Sequence, residues 1–185
     1  MAIRLGDANP RRLVRMFNSL LLEVSSAAIS DRKKVPLLSK KQQTRVLIHF
    51  SSGTLSRVQS EPEVGPELHQ FIKQIGEYMQ YSLYDRPLTT DQMSFIRLTQ
   101  KTDRAYWPLI QHGVALGLLY PNVNTNDPDE LSKGNGTFHL AYVLAPLFRI
   151  LPRRDKALGL STLMRRRAEV RLNESFMNMQ HRLFT

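Results

Sequence analysis

Between Pro10 and Ile29, the apolar residues Leu13, Val14, Met16, Phe17, Leu20, Leu21, Val24 and Ala28 recur at helical spacing. The band is broad enough to cover most of two faces, which predicts a helix packed into a core. Ser30-Asp31-Arg32-Lys33-Lys34-Val35-Pro36 is polar, basic and closed by proline, so it reads as a loop. Ser39 opens a second helix with Val46, Leu47, Phe50 and Leu55 on its inner side and Lys40, Lys41 and Arg45 outside. Gln42 stands three residues after Ser39, the spacing of a capping box. A turn-rich break at Glu61-Pro62-Glu63-Val64-Gly65-Pro66 precedes a third helix. There Leu68, Phe71, Ile72, Ile75, Met79 and Leu83 form one stripe that ends near Asp85, before Pro87.

Beyond residue 87 the period changes. Gln92 to Leu98 alternates like a short strand. Asp103 to Leu119 reads mainly as a helix, with Pro108 marking either its true first turn or a kink. After Leu118-Leu119-Tyr120-Pro121-Asn122-Val123, a long Asn/Asp/Gly-rich loop runs from Asn124 to Gly136, and Thr137 to Leu144 follows as a strand. Strand, helix, strand, flexible loop and strand is the order of the later part of a winged helix-turn-helix. The expected fold is therefore mainly α with a small antiparallel β-hairpin. A helical lid-like bundle spans 1–86, a winged-helix domain 88–156, and a basic amphipathic helical tail 157–185.

Composition narrows the function. A chain of 185 residues with 42% hydrophobic and 23% charged residues can bury a real core. The 26 basic residues exceed the 16 acidic ones, giving a formal charge of +10, which favours a polyanionic partner. DNA or RNA is the first candidate and an anionic membrane surface the second. The bland alternative is a generally basic soluble protein. With no cysteine, disulfides and thiol chemistry are excluded, and a reducing cytosol suits the chain. His49, His69, His112, His139 and His181 show neither HxxxH nor HExxH spacing, so no metal site is expected. The apolar runs are too short to span a membrane, and residues 1–7 lack the apolar stretch of a signal peptide. A cytoplasmic protein without a membrane partner is expected.

No Gly-x-Ser-x-Gly elbow occurs, and no GxxxxGK[ST] loop. No catalytic residue is therefore assigned, and the chain alone is expected to hold no cofactor.

The clearest chemical signal is Gly6-Asp7-Ala8-Asn9-Pro10-Arg11-Arg12-Leu13. Asn9 can cap a helix whose first position is Pro10. Arg11 and Arg12 then oppose the helix dipole unless an anion lies close. Either one guanidinium points at a phosphate, or both are merely solvated.

This segment resembles the lid helix of AAA+ ATPases, in which such a start carries the sensor-2 arginine that touches nucleotide phosphates. The resemblance implies that Arg11 or Arg12 is that residue. ATP and Mg²⁺ then enter only with a P-loop domain or subunit, since eight residues precede Asn9-Pro10. The chain is expected to be the carboxy-terminal piece of a larger ATPase or a stand-alone relic.

The later half strengthens the likeness. Gly117 to Tyr120, the loop, and Phe138 to Arg154 with its Ala145-Pro146-Leu147-Phe148 stretch look like the end of bacterial ORC-like ATPases. These belong to the initiator-type AAA+ family, with origin-recognition-complex proteins, and several sit in phage-defence or mobile-element loci. The resemblance covers roughly residues 1–158 and implies a lid followed by a DNA-binding winged helix. Homo-oligomers are common among such relatives.

The candidate recognition helix carries Trp107, Gln111 and His112 but little positive charge beyond Arg104. Gln111 could bridge an adenine edge or be simply exposed. In the wing, Asp127, Asp129 and Glu130 outweigh Lys133. Basic residues concentrate in Arg32-Lys33-Lys34, in Lys40-Lys41 with Arg45, in Arg149 with Arg153-Arg154 and Lys156, and in Arg165-Arg166-Arg167 with Arg171. Sequence-tolerant backbone contact is the better fit, with Arg153 and Arg154 its first candidates. A solvated loop or a salt bridge to the lid is their alternative. The tail's basic amphipathic face could dock on its own domain, dimerise, or bind a backbone or a membrane surface. Two functions follow. One is the DNA-binding, nucleotide-sensing end of an initiator-like ATPase. The other is a non-enzymatic module that docks an acidic protein partner.

Overall fold

A computed structural model describes residues 9–30, 37–84, 93–98, 101–122, 135–150 and 156–165. Helix α1 (Pro10–Ser30) starts as its sequence demands: Asn9 Oδ1 accepts from the backbone N–H of Arg11 at 3.1 Å and of Arg12 at 3.2 Å. Helix α2 (Lys40–Arg57) opens on a complete capping box. Ser39 Oγ accepts from Gln42 N at 3.3 Å, and Gln42 Oε1 accepts from Ser39 N at 2.9 Å. A 3₁₀ turn (Val58–Ser60) and the break at residues 61–64 lead into α3 (Gly65–Tyr84).

Helix α3 is the centre of the core. Leu68, Phe71, Ile72, Ile75, Tyr78 and Met79 are all at most 3% exposed, a band wider than one partner could cover. The chain then enters strand β1 (Met93–Leu98), where buried Ile96 and Leu98 flank exposed Arg97 with the period of two of a half-buried strand. A 3₁₀ turn (Lys101–Tyr106) precedes α4 (Trp107–Ala115), followed by β2 (Leu119–Pro121) and β3 (Gly136–Leu140). Another 3₁₀ turn (Tyr142–Leu144), the short α5 (Ala145–Phe148), β4 (Lys156–Gly159) and a helical turn over 160–165 complete the described chain.

The four strands lie in the order β2-β3-β1-β4. Strand β3 pairs antiparallel with β2 (Leu119 opposite Leu140) and with β1 (Ile96 opposite Phe138). Strand β4 runs parallel to β1, with Leu158 opposite Ile96. The fold is mainly helical with a small mixed sheet, as a helical bundle joined to a winged-helix-like region. One apolar cluster runs from Leu55 and Val58 through α3 to Phe138, Leu144, Phe148 and Leu163.

Four local expectations are corrected. The hairpin is extended by β4, whose parallel pairing needs a crossover that periodicity does not announce. The 103–119 helix is shorter: Pro108 occupies its first turn, and Gly117 at φ 64° stops it. The 137–144 strand ends at Leu140, because the chain turns at Ala141 toward Pro146 in the first turn of α5. Helix α1 is only partly packed. Met16 is 1% exposed, but Val14, Phe17, Leu21 and Leu22 are exposed, because α1 packs chiefly on α2 and its apolar band is wider than that contact.

Two substitutions test the packing. A Cβ on Gly76 of α3 would lie 2.4 Å from ring carbons of Phe148, so Gly76→Ala overpacks a closed site. It should cost about 1–3 kcal/mol by thermal unfolding, even though alanine favours a helix by roughly 1 kcal/mol. Tyr78 is buried, and its hydroxyl has no hydrogen-bond partner among the described residues. Tyr78→Phe should leave stability unchanged or raise it by about 1 kcal/mol. A loss in the same assay would mean that the hydroxyl is paired.

Candidate nucleic-acid interface and the Arg12 clamp

In chain order α3, β1, α4, β2 and β3 follow one another, and β3 lies between β2 and β1, an order consistent with a winged-helix-like region; residues 123–134, the predicted wing, lie outside the described residues. Helix α4 is held by Leu109, Ile110 and Gly113, which are buried, while Trp107 packs edge-on against Phe138 at 6.3 Å. That inward set leaves Pro108, Gln111, His112 and Ala115 exposed on the other side. Arg104, on the 3₁₀ turn ahead of the helix, is exposed as well. His112 Nδ1 lies 2.8 Å from Pro108 O. Because a carbonyl only accepts, Nδ1 is the donor there, and the neutral ring keeps Nε2 as an acceptor.

The other end of α4 is engaged by α1. Leu118 N donates to Gly113 O at 2.7 Å and Gly117 N to Val114 O at 2.9 Å, closing the helix around a left-handed Gly117. Arg12 then reaches across. Its Nη2 donates to Leu116 O at 2.7 Å and its Nη1 to Gly117 O at 2.6 Å, with Tyr120 Oη 3.4 Å from Nη1. The cation sits at the negative end of the α4 dipole, where it is favoured. This partner accounts for an arginine whose own backbone occupies the positive end of α1.

A cleft of about 220 Å³ opens beside this contact, lined by Arg12, Arg15, Arg57 and Glu61 among others. It also takes in Val58, Leu116 and Leu118, so the carboxyl ends of α2 and α4 converge there. Of its cations, Arg12 is engaged by the two carbonyls at the end of α4. Arg11, one position earlier, is exposed. Among the described residues, no group of three or more metal-ligating side chains occurs, and no helix is long and apolar enough to cross a membrane.

A protein-family model described as ORC-CDC6-like matches residues 1–160. The chain belongs to the ORC-CDC6-like family. No curated protein and no solved structure matches it.

In this ORC-CDC6-like chain the predicted site residues fall into four groups. Arg104 and Gln111 are exposed on the 3₁₀ turn and α4, and Arg11 and Arg12 stand at the start of α1, with Arg12 against the opposite end of α4. Arg32, Lys33, Lys34, Lys133, Arg153 and Arg154 lie outside the described residues, and Lys156 opens β4. The carbonyl partners of Arg12 were missed by sequence reasoning. The available signal was Gly117, since a glycine after an apolar helix marks an end whose carbonyls seek donors. Burial first, and then the nearby Lys73 charge, lower the pKa of His69 below its ordinary value.

Removing the clamp has a defined cost. Arg12→Ala should destabilise the protein by about 1–3 kcal/mol in thermal or urea unfolding, the range for charge-assisted hydrogen bonds. Arg12→Lys should recover only part, because an ammonium lacks the planar fork that spans two carbonyls. An unchanged midpoint for Arg12→Ala would show that the contact contributes nothing.

Proposed function

We propose that this ORC-CDC6-like chain is the DNA-contacting, nucleotide-sensing carboxy-terminal part of an initiator-type AAA+ ATPase. On this reading it binds duplex DNA through its winged-helix-like unit and carries no complete ATPase site of its own. The observation that carries the reading is the β2-β3-β1 sheet beside α4, with Gln111 and His112 exposed on that helix and Arg104 exposed on the 3₁₀ turn ahead of it. A winged helix lays this element in the major groove while the wing reaches the backbone. Gln111 offers the donor and acceptor pair that matches an adenine edge, and Arg104 offers phosphate contact. Backbone contacts from Arg32, Lys33, Lys34, Lys133, Arg153, Arg154 and Lys156 supply most of the affinity. The Ala145-Pro146-Leu147-Phe148 stretch supports the prokaryotic branch of the family, and with it a phage-defence setting.

Nucleotide contact falls to Arg11, since Arg12 is held by two carbonyls. ATP and Mg²⁺ require a P-loop from another domain or subunit, because GxxxxGK[ST] does not occur in these residues.

One observation favours a second role. Val14, Phe17 and Leu21 stand exposed at 57%, 44% and 60% along one side of α1, a stripe suited to protein contact. It fits the alternative of a module that docks a protein partner, whose acidic surface would meet the arginines.

Fluorescence anisotropy with mixed-sequence duplex DNA at low and moderate salt tests the reading. Wild-type binding should weaken steeply with salt. Arg104→Ala/Gln111→Ala should bind about tenfold more weakly, in keeping with removal of one base interaction and one phosphate interaction. Absence of binding at low salt would overturn the DNA reading and leave the docking module.

A further inference from the structure

Arg12 on one side, and Lys40 and Lys41 on the other, stand at opposite ends of the helices they face. At the carboxyl-end cleft, Arg12 is explained by the carbonyls it serves. A second, larger groove of about 630 Å³ is of a different kind. It runs along the outer side of α2 and is lined by Lys40, Lys41, Arg45, Ile48 and Arg149, with Gln42 and Thr44. Among the described residues, no carboxylate is in its lining.

Three features of this groove work against the isolated chain. Lys40 and Lys41 occupy the first turn of an 18-residue helix that has no acidic residue there, so two ammonium groups oppose its dipole. Lys41 and Arg45 are four residues apart on one face, a like-charge spacing that destabilises a helix. Arg149 ends α5 at φ 52° and ψ 28°, in the left-handed region where glycine or asparagine is normally found. That cap brings Arg149 to the rim of a groove otherwise built by α2, more than a hundred positions earlier in the sequence. Arg45 is tethered by Glu23 of α1 and its side chain still stands 69% exposed.

We propose that this groove is a second nucleic-acid contact, a clamp on the sugar-phosphate backbone of duplex DNA that acts without reading bases. The occupant follows from charge: four cations from two separate elements, Arg45 among them paired with Glu23, stand with polar Gln42 and Thr44 between them and no acid among the described lining residues, and this set complements a row of phosphates. Four residues of helix rise about 6 Å, so Lys41 and Arg45 are spaced to meet successive phosphates of one strand. A bound backbone relieves the repulsion between them and the opposition to the α2 dipole together. The clamp rests on the DNA reading above but uses none of the α4 residues.

The test compares three forms of the full chain against mixed-sequence duplex DNA over a salt series: wild type, Lys41→Ala/Arg149→Ala, and Arg104→Ala/Gln111→Ala. The groove variant should bind at least about tenfold more weakly at low salt. Its log K against log salt slope should be shallower by about two, one for each phosphate that is no longer neutralised. Arg149→Gly supplies a readout that a structural role would not give: a higher melting temperature, from release of the left-handed strain, together with weaker DNA binding. If wild type binds and the groove variant matches it in affinity and slope, the clamp is overturned and the α4 reading stands. If the groove variant loses binding while the α4 variant does not, the clamp holds and the α4 assignment falls. If wild type does not bind duplex DNA at low salt, both fall, and the groove becomes a surface for an acidic protein.

Discussion

The core of the described structure is organised by the burial of α3. A helix with Leu68, Phe71, Ile72, Ile75, Tyr78 and Met79 all inside must be covered from more than one direction. Coverage comes from the strands, from α4 and from α5. The tightest point is Gly76, whose missing side chain admits the Phe148 ring to the α3 backbone. Phe148 can reach that point only because Ala141 turns the chain out of β3 and Pro146 starts a new helical turn. Ser51 of α2 adds a polar pin, its Oγ 2.6 Å from Val143 O in that same turn. The winged-helix-like sheet and the helical bundle are thus built against one helix.

Much of this architecture is legible in the residues, because local signals decide it. Asn9 and the Ser39/Gln42 pair mark their helix starts correctly, since capping is settled within four residues. The α3 stripe is visible because its period is clean. What sequence concealed is non-local. Nothing near Lys156 announces a parallel partner at Met93, and nothing in the α1 pattern says that α2 covers only part of its apolar band. Among the candidate site residues, the exposure of Arg104 and Gln111 followed from the inward set Leu109, Ile110 and Gly113. The partner of Arg12 lies more than a hundred residues away, and its carbonyls belong to Leu116 and Gly117, whose role shows only once α4 is placed.

Helix polarity gives the positive charge its order. A net excess of ten cations is a single number in the sequence, but the fold sorts the residues behind it. Arg12 neutralises a carboxyl end and is thereby committed to structure. Lys40 and Lys41 stand at an amino end, where charge of the same sign is costly. The distinction separates an arginine that ties two helices together from lysines that the helix dipole does not favour.

The attachment of α1 has a further consequence for the motion of the molecule. Among its described side chains only Met16 is fully buried, and its firmest tie to α4 is a polar one, two hydrogen bonds from a single guanidinium. Elements with few buried apolar contacts open at a lower free energy than the core they lean on. The amide hydrogens of α1 therefore exchange with solvent ahead of those of α3. Any protein surface that covers Val14, Phe17 and Leu21 slows that exchange, so α1 serves as a built-in reporter of occupancy on its apolar side.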